Sequence, residues 1–428
     1  MKLRPLALCI GIALLVPQWA YALLIRLDEQ PKVNATAKDP AAARYVEGVM
    51  AMEKKDVANA ERLFREAIAI DAKAHAPLIG MADLALRRNQ PKEAWQWLQK
   101  AVAVAPGQMA VHQSIGRYHY ALGEYTQAEK PLREAIALAP NSVLAYLDLG
   151  DLYLNALNRP EDAEHAYRKA VSLGPKHAGA RNGLGVALVA QGKYAEAQKE
   201  VERAIELAPN NVLPRLSLAR THQSQGAWDK AIAAYDDALE MAPKLLPALL
   251  GKADALVALG KGSAALPIYI EATQSARESD IAQLKLGMAY QGMGRMDAAS
   301  KAYKEAIRIN PELALAYNNL AWMAAERQQD LDQAQTWVDK AITLSPQEPL
   351  FLDTLAWIQR ARKEFSQAET TLKKAAAMPG AGAEIWYHLG VIYEDQHKSA
   401  EAAQAYGQAV TLDKSFAAAR KALEALKK

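Results

Sequence analysis

The chain has 428 residues, with 51 Lys and Arg set against 48 Asp and Glu, and a single cysteine, Cys9. The two signs of charge are interspersed and no basic tract stands out, so the positive stripe on which nucleic-acid binding depends is missing. Ala, Leu, Glu, Lys and Gln dominate, Phe has only 4 copies, and no run alternates with period two, so helix is expected almost throughout and no sheet.

The N-terminus opens with Lys2 and Arg4 as a positive region, followed by a short apolar stretch from Leu6 to Val16. Pro17 then breaks the helix, and Ala20-Tyr21-Ala22 offers small residues at the two positions a signal peptidase reads. The expectation is a secretory signal peptide over residues 1–22, cleaved after Ala22, and a mature protein in the periplasm. The uncharged run from Leu6 to Ile25 also has the length to span a bilayer, so an uncleaved inner-membrane anchor is the alternative reading. A lipoprotein reading at Cys9 fails, because the apolar stretch before it is short and Leu8 is bulky. Cleavage leaves 49 basic against 48 acidic residues and no cysteine, hence no disulfide, thiol catalysis or thiolate metal site. Residues 23–40, with Asp28, Glu29, Pro31 and Lys32, read as a flexible leader.

From residue 41 onward the chain repeats itself. Eleven alanines from Ala60 to Ala402 recur at 34-residue steps, with two steps of 35, and seven residues after each stands another alanine, from Ala67 to Ala409. Twelve residues before the first set, or thirteen in the two longer units, there is always a Gly or Ala, from Gly48 to Gly390. Small residues at such fixed spacing suit pairs of helices whose backbones cross closely. Gly123, Gly192, Gly226, Gly260 and Gly294 fall between the helices of a pair, where positive φ costs glycine little. Prolines such as Pro106, Pro140 and Pro175 end seven of the eleven units, where a helix cannot easily continue. The units run 41–74, 75–108, 109–142, 143–177, 178–211, 212–245, 246–279, 280–313, 314–348, 349–382 and 383–416. Residues 417–428 form a closing helix with Leu423 and Leu426 on one face and its lysines toward water, as the end of a solenoid requires.

The fourth unit carries Leu149-Gly150, Tyr153, Ala163, Tyr167, Ala170 and Pro175, and this pattern resembles the tetratricopeptide-repeat (TPR) consensus. The resemblance covers residues 41–416. Arg277 and Lys414 depart from it where Pro is usual, and Lys252 where Leu is usual, which makes the stretch from Thr273 to Asp280 the most polar joint. The resemblance implies an all-α, right-handed superhelical solenoid of about eleven helix-turn-helix repeats. It further implies that first helices line a concave groove, with the fifth, ninth and twelfth positions of each repeat facing a bound protein or peptide.

Those positions give Asn182, Leu216, Leu250, Leu284, Asn318 and Asp353 in the fifth column and Arg220, Met288, Trp322 and Trp357 in the ninth, with Asn319 and Arg360 beside them. Trp322 and Trp357 stand one repeat apart, and aromatic and Arg side chains carry much of the energy at binding hot spots. Packing against neighbouring helices is the alternative for both indoles, and inter-repeat packing is the alternative for the three leucines. No consecutive repeats place Lys at the fifth position and Asn at the ninth, so the clamp with which some TPR domains hold a C-terminal carboxylate is absent. The words AYNNLAW (Ala316 to Trp322) and LDTLAW (Leu352 to Trp357) resemble repeats of bacterial envelope proteins tied to exopolysaccharide and surface-protein export.

Motifs for chemistry are missing. None of the eight histidines lies in HExxH or pairs with another at a zinc-binding spacing. His119 and His222 occupy the column that holds Tyr153, Tyr290 and Tyr393 elsewhere, and read as packing residues. There is neither a phosphate-binding glycine loop nor a GxSxG elbow, and the repeats run nearly to the last residue, leaving little room for an appended catalytic domain. The sequence therefore points to a non-enzymatic protein-interaction scaffold of the periplasm that serves assembly or secretion of an envelope component. It is expected to need no metal or small-molecule cofactor, to bind no nucleic acid, and to touch the membrane only if the N-terminal segment is retained.

Overall fold

The computed structural model describes residues 39–426, so the expected signal peptide and most of the leader lie outside the described residues. Among the described residues there are 23 α-helices, from Pro40–Glu53 to Ala417–Ala425, and no strand. They form two units. The first ends at Pro243 and holds six helix pairs, from Pro40–Glu53 with Val57–Ile70 to Val212–Ser224 with Trp228–Met241. The second begins at Lys244 and holds five pairs, from Leu246–Ala258 with Gly262–Ser275 to Ala383–Asp395 with Ser399–Leu412, plus the closing helix. Both units are all-α, each a stack of helix pairs.

The alanine columns are the places where paired helices meet. Every member of both, from Ala60 and Ala67 to Ala402 and Ala409, has 0% exposure. The third column works by having almost no side chain at all. A Cβ added to Gly390 would lie 2.4 Å from the Tyr406 ring, and one added to Gly287 would lie 2.5 Å from the Tyr303 ring. Large rings on the second helix thus lie directly on the backbone of the first. Their hydroxyls are satisfied locally: Tyr303 donates to Gln291 at 2.6 Å, Tyr269 to Asp254 at 2.6 Å and Tyr406 to Glu394 at 2.6 Å, each on the paired first helix. A buried phenol without an acceptor would cost about 1–3 kcal/mol, so each ring comes with its own polar partner.

The two 35-residue repeats absorb their extra residue in different ways. Most first helices have 13 residues, as in His75–Arg87. In the fourth repeat the helix Val143–Asp151 passes into a π-helical turn, Leu152–Ala156, which takes up one residue and leaves the second helix in its usual place. In the ninth, Ala314–Arg327 is extended to 14 residues, and the turn behind it puts both Gln328 and Asp330 at φ 51°. Elsewhere the turn uses one left-handed residue. Gly123, Gly192, Gly226, Gly260 and Gly294 take it at φ 70–76°, as expected, while Lys55, Asn89, Lys363 and His397 adopt it at φ 57–64° without being glycine.

Neighbouring repeats are also joined by polar clasps, centred on Glu61, Glu129 and Glu164 in the first unit and on Glu369 in the second. Glu164 accepts from Arg168 on its own helix and from Gln191 and Lys193 of the next repeat. Glu369 accepts in the same way from Lys373, Gln396 and Lys398. Burial alone would raise the Glu164 carboxyl, but these donors outweigh it and lower it to about 2.

If backbone contact sets the pairing, Gly390→Ala forces the Tyr406 ring aside and destabilises the chain by about 1–3 kcal/mol. Gly407→Ala, where an added Cβ meets nothing within 4 Å, stabilises it by roughly 0.5–1 kcal/mol. Denaturant titration of the two variants measures both signs, and a neutral Gly390→Ala refutes the close crossing.

Candidate partner-binding site

The residues expected to line a groove do not share one environment. In the first unit, Leu216 is buried, Arg220 is exposed, and Asn182 is half-buried with an Oδ1 that has no hydrogen-bond partner. In the second unit, Leu250 and Leu284 are buried and offer a partner little surface. Met288, Asn319, Trp322 and Arg360 are half-buried, while Asn318, Asp353 and Trp357 are 2%, 1% and 9% exposed. Asp151 and Asp254, also in the ninth column, are committed as acceptors for the phenols of Tyr167 and Tyr269.

The ninth to eleventh repeats do bring several of these residues together. The indoles of Trp322 and Trp357 stack with centroids 5.6 Å apart and planes 15° from parallel. His388, from the eleventh repeat, packs against both, 4.4 Å from Trp357 and 5.5 Å from Trp322. Beneath the rings the Asp353 carboxylate meets His388 Nδ1 at 2.8 and 2.9 Å. Trp357 Nε1 donates to Glu326 at 2.7 Å, and the Arg360 guanidinium lies 4.7 Å from the centre of the same indole. Arg360 is itself held by Asp395 through contacts of 2.5 and 3.2 Å. Asn318 lies one helical turn before Trp322, and its buried Oδ1 has no partner.

The electrostatics are set by this packing. Burial works against a charged His388, but Asp353 outweighs it through charge and hydrogen bond, assisted by Glu384 and Glu326, and the imidazole is raised above its ordinary 6.5. In the first unit a comparable set joins Gln113, Arg117 and Asp148. Gln113 donates to Asp148 at 2.6 Å and Arg117 donates at 2.7 and 3.1 Å, leaving Asp148 2% exposed. Nearby, burial pushes the Asp83 carboxyl up to about 6 against the opposing pull of Arg117 and Arg87.

His388, Glu326 and Asp395 were not among the residues the family positions select. For His388 and Asp395 the signal is a step of 35 rather than 34, while Glu326 lies 31 residues before Trp357. Gln113 meets Asp148, Asp353 meets His388 and Arg360 meets Asp395, each 35 residues on. A residue on one first helix thus faces the next position along on its neighbour. His119 lies within hydrogen-bond reach of Glu124 at 2.7 Å, and His222 is buried with Nδ1 lacking a partner. Among the described residues no three His, Cys, Asp or Glu side chains are placed to hold a metal ion.

Comparison with known proteins agrees with the repeat geometry. Tetratricopeptide-repeat family patterns match residues 51–117, 114–157, 147–212, 188–252, 284–349 and 383–416, together well over half of the chain. The chain belongs to the tetratricopeptide-repeat family, and such repeats make it a scaffold for protein–protein interaction. Cellulose synthase operon protein C of Xanthomonas axonopodis pv. citri (strain 306) is 30% identical over 185 residues, which is 41% of this chain and 12% of that protein. Protein O-mannosyl-transferase F38B6.6 of Caenorhabditis elegans is 35% identical over 85 residues, 20% of this chain and 12% of that protein. The chain thus spans only 12% of the length of either relative. A chain in the crystal structure of the APC/C hetero-tetramer Cut9–Hcn1 has the same kind of fold, with a TM-score of 0.51 and 12% identity over 91% of this chain and 96% of that one.

The raised His388 pKa fixes the direction of a pH effect. The folded state binds this proton more tightly than the unfolded chain, so the stabilisation is fully present below 6.5 and is lost as pH rises through the raised folded value. Thermal stability of the full chain is expected to fall across that window, and Asp353→Asn to flatten the fall and move the His388 NMR titration downward. Asp353→Ala, which strips a buried partner, is expected to cost about 3–5 kcal/mol. A His388 that titrates at or below 6.5 in the unaltered protein refutes the account.

Proposed function

We propose that this protein is an exported, non-enzymatic scaffold of the bacterial envelope. It holds a polypeptide segment against the first helices of its ninth to eleventh repeats, and so supports assembly or secretion of an envelope component, an exopolysaccharide or a surface protein. The observation that carries this reading is that every described helix from Pro40–Glu53 to Ser399–Leu412 falls within a helix pair, with TPR patterns matching well over half of the chain. Export is supported by the positive, apolar and Ala-x-Ala pattern of residues 1–22. The link to exopolysaccharide is supported by the stretch shared with a protein named for a cellulose synthase operon. Within the ninth to eleventh repeats, the half-buried Trp322 beside the buried Trp357 keeps part of a large aromatic side chain open to solvent.

A second reading is favoured by one observation, the uncharged run from Leu6 to Ile25. Retained, it anchors the same scaffold in the inner membrane. Among the described residues no helix is long and apolar enough to cross a membrane.

Cell fractionation with N-terminal sequencing separates the two readings. A mature start at Leu23 in the periplasmic fraction supports the exported scaffold, whereas a start at Met1 in membranes supports the anchor. Recovery in the cytosol with only cytosolic partners defeats both. In a pull-down from the envelope fraction, Trp322→Ala is expected to weaken partner recovery at least about tenfold, in line with a hot-spot aromatic. Trp357→Ala is expected to lower stability by about 3–5 kcal/mol, because its indole is 9% exposed.

A further inference from the structure

We infer that the Trp322 indole and the Glu326 carboxylate receive a lysine or arginine side chain of the bound polypeptide; this rests on the scaffold reading above and names the chemistry of its partner. Four observations converge. Glu326 is exposed, it accepts from Trp357 Nε1 at 2.7 Å, and among the described residues no lysine or arginine pairs with it. Carboxylates gather here, since Asp353, Glu384 and Glu326 all act on His388 to favour its charged form. The aromatic faces here already attract cations: Arg360 lies 4.7 Å from the centre of Trp357. Finally, Trp322, one helical turn before Glu326, is only half-buried and so keeps surface that a ligand can cover.

The groups left available at this site are therefore the Glu326 carboxylate and the open part of the Trp322 ring. Arg360 is spoken for by Asp395 at 2.5 Å, and the Trp357 indole N–H by Glu326. An acidic segment meets like charge. An apolar segment covers Trp322 but buries Glu326 without a counter-charge, which costs more than the contact gains. A guanidinium or ammonium satisfies both, lying over the indole while it donates to the carboxylate. Protonated His388 stands close by as a resident cation, facing Asp353, Glu326 and Glu384 from three first helices. Its charge competes with that of the incoming side chain, so binding strengthens as pH rises through the His388 titration.

The test uses the full chain and two peptides, acetyl-Gly-Ser-Arg-Ser-Gly-amide and its citrulline counterpart, which has the same shape without the charge. Tryptophan fluorescence titration is expected to show the arginine peptide binding about fivefold tighter, the scale of a partly exposed cation–π contact with a nearby carboxylate. The preference should vanish in Glu326→Gln, which keeps an acceptor for the Trp357 indole, and in Trp322→Leu. It should weaken with added salt and at lower pH. Equal affinity for the two peptides, no binding of either, or a preference that survives Glu326→Gln overturns the inference. An envelope partner that is still captured in a Trp322-dependent way would then leave the scaffold reading standing, with a different side chain at the site.

Discussion

Two helices can bring their backbones together only where neither carries a side chain larger than a methyl group, and the rest of this chain is spaced around those crossings. Ordinary helix pairs sit about 8–10 Å apart, with ridges of side chains between them. Here Ala163 and Ala170 are wholly buried on one helix, Gly150 faces them from the other, and the Tyr167 ring lies against the glycine. Such a crossing leaves no slack, because close-packed interiors transmit a displacement rather than absorb it. That is why the same three small columns persist, and why the ring-bearing residues Phe64, Tyr167, Tyr235, Tyr303 and Tyr406 recur at one position on the second helix.

The same rigidity explains what the sequence discloses and what it hides. Spacing between alanines is an absolute quantity, so the helix pairing, the number of repeats and the turn glycines are legible without coordinates. The two 35-residue steps are legible as numbers but not as shapes. Any device that returns Ala163 and Ala334 to their crossings will serve, and the chain uses a π-helical turn in one case and a pair of left-handed residues in the other. Neither contains a glycine to mark it. Asn158 supplies positive φ in the fourth repeat, Gln328 and Asp330 in the ninth, and nothing in those residue types separates an elongated helix from a bulged one.

The binding residues were legible to a lesser degree, for a geometric reason. Positions taken from a family frame assume that equal positions in successive repeats line up, so Asp353 is expected beside Tyr387. In the structure its partner is His388, one residue further on. Adjacent first helices interdigitate, and a side chain passes between neighbours on the facing helix instead of meeting its own counterpart. The contacts therefore fall 35 residues ahead, as in Arg360 with Asp395, or 31, as in Arg117 with Asp148 and Asp254 with Lys285. Both offsets differ from the repeat length by a few residues at most, and together they bracket one helical turn. Trp322 and Trp357 were legible because they hold equal positions in the ninth column, and only the 35-residue length of the ninth repeat gives them the same spacing.

These polar contacts do something the alanines cannot. The small columns act within a repeat, where paired helices cross, and leave a slip of one turn between neighbouring repeats less strictly opposed. A buried carboxylate is not so tolerant. Moved one turn, Asp148 at 2% exposure loses Gln113 and Arg117, and Asp353 at 1% loses His388, each leaving a charge without its donors. A buried pair adds little to stability when compared with an apolar substitute, yet breaking it costs several kcal/mol, so its effect is to select one arrangement over its near neighbours. In the second unit that selection sets the two indoles nearly parallel, with Glu326 at their edge and Arg360 on one face. Closeness comes from the small columns and register from the buried polar pairs, and the aromatic site exists only where both conditions are met.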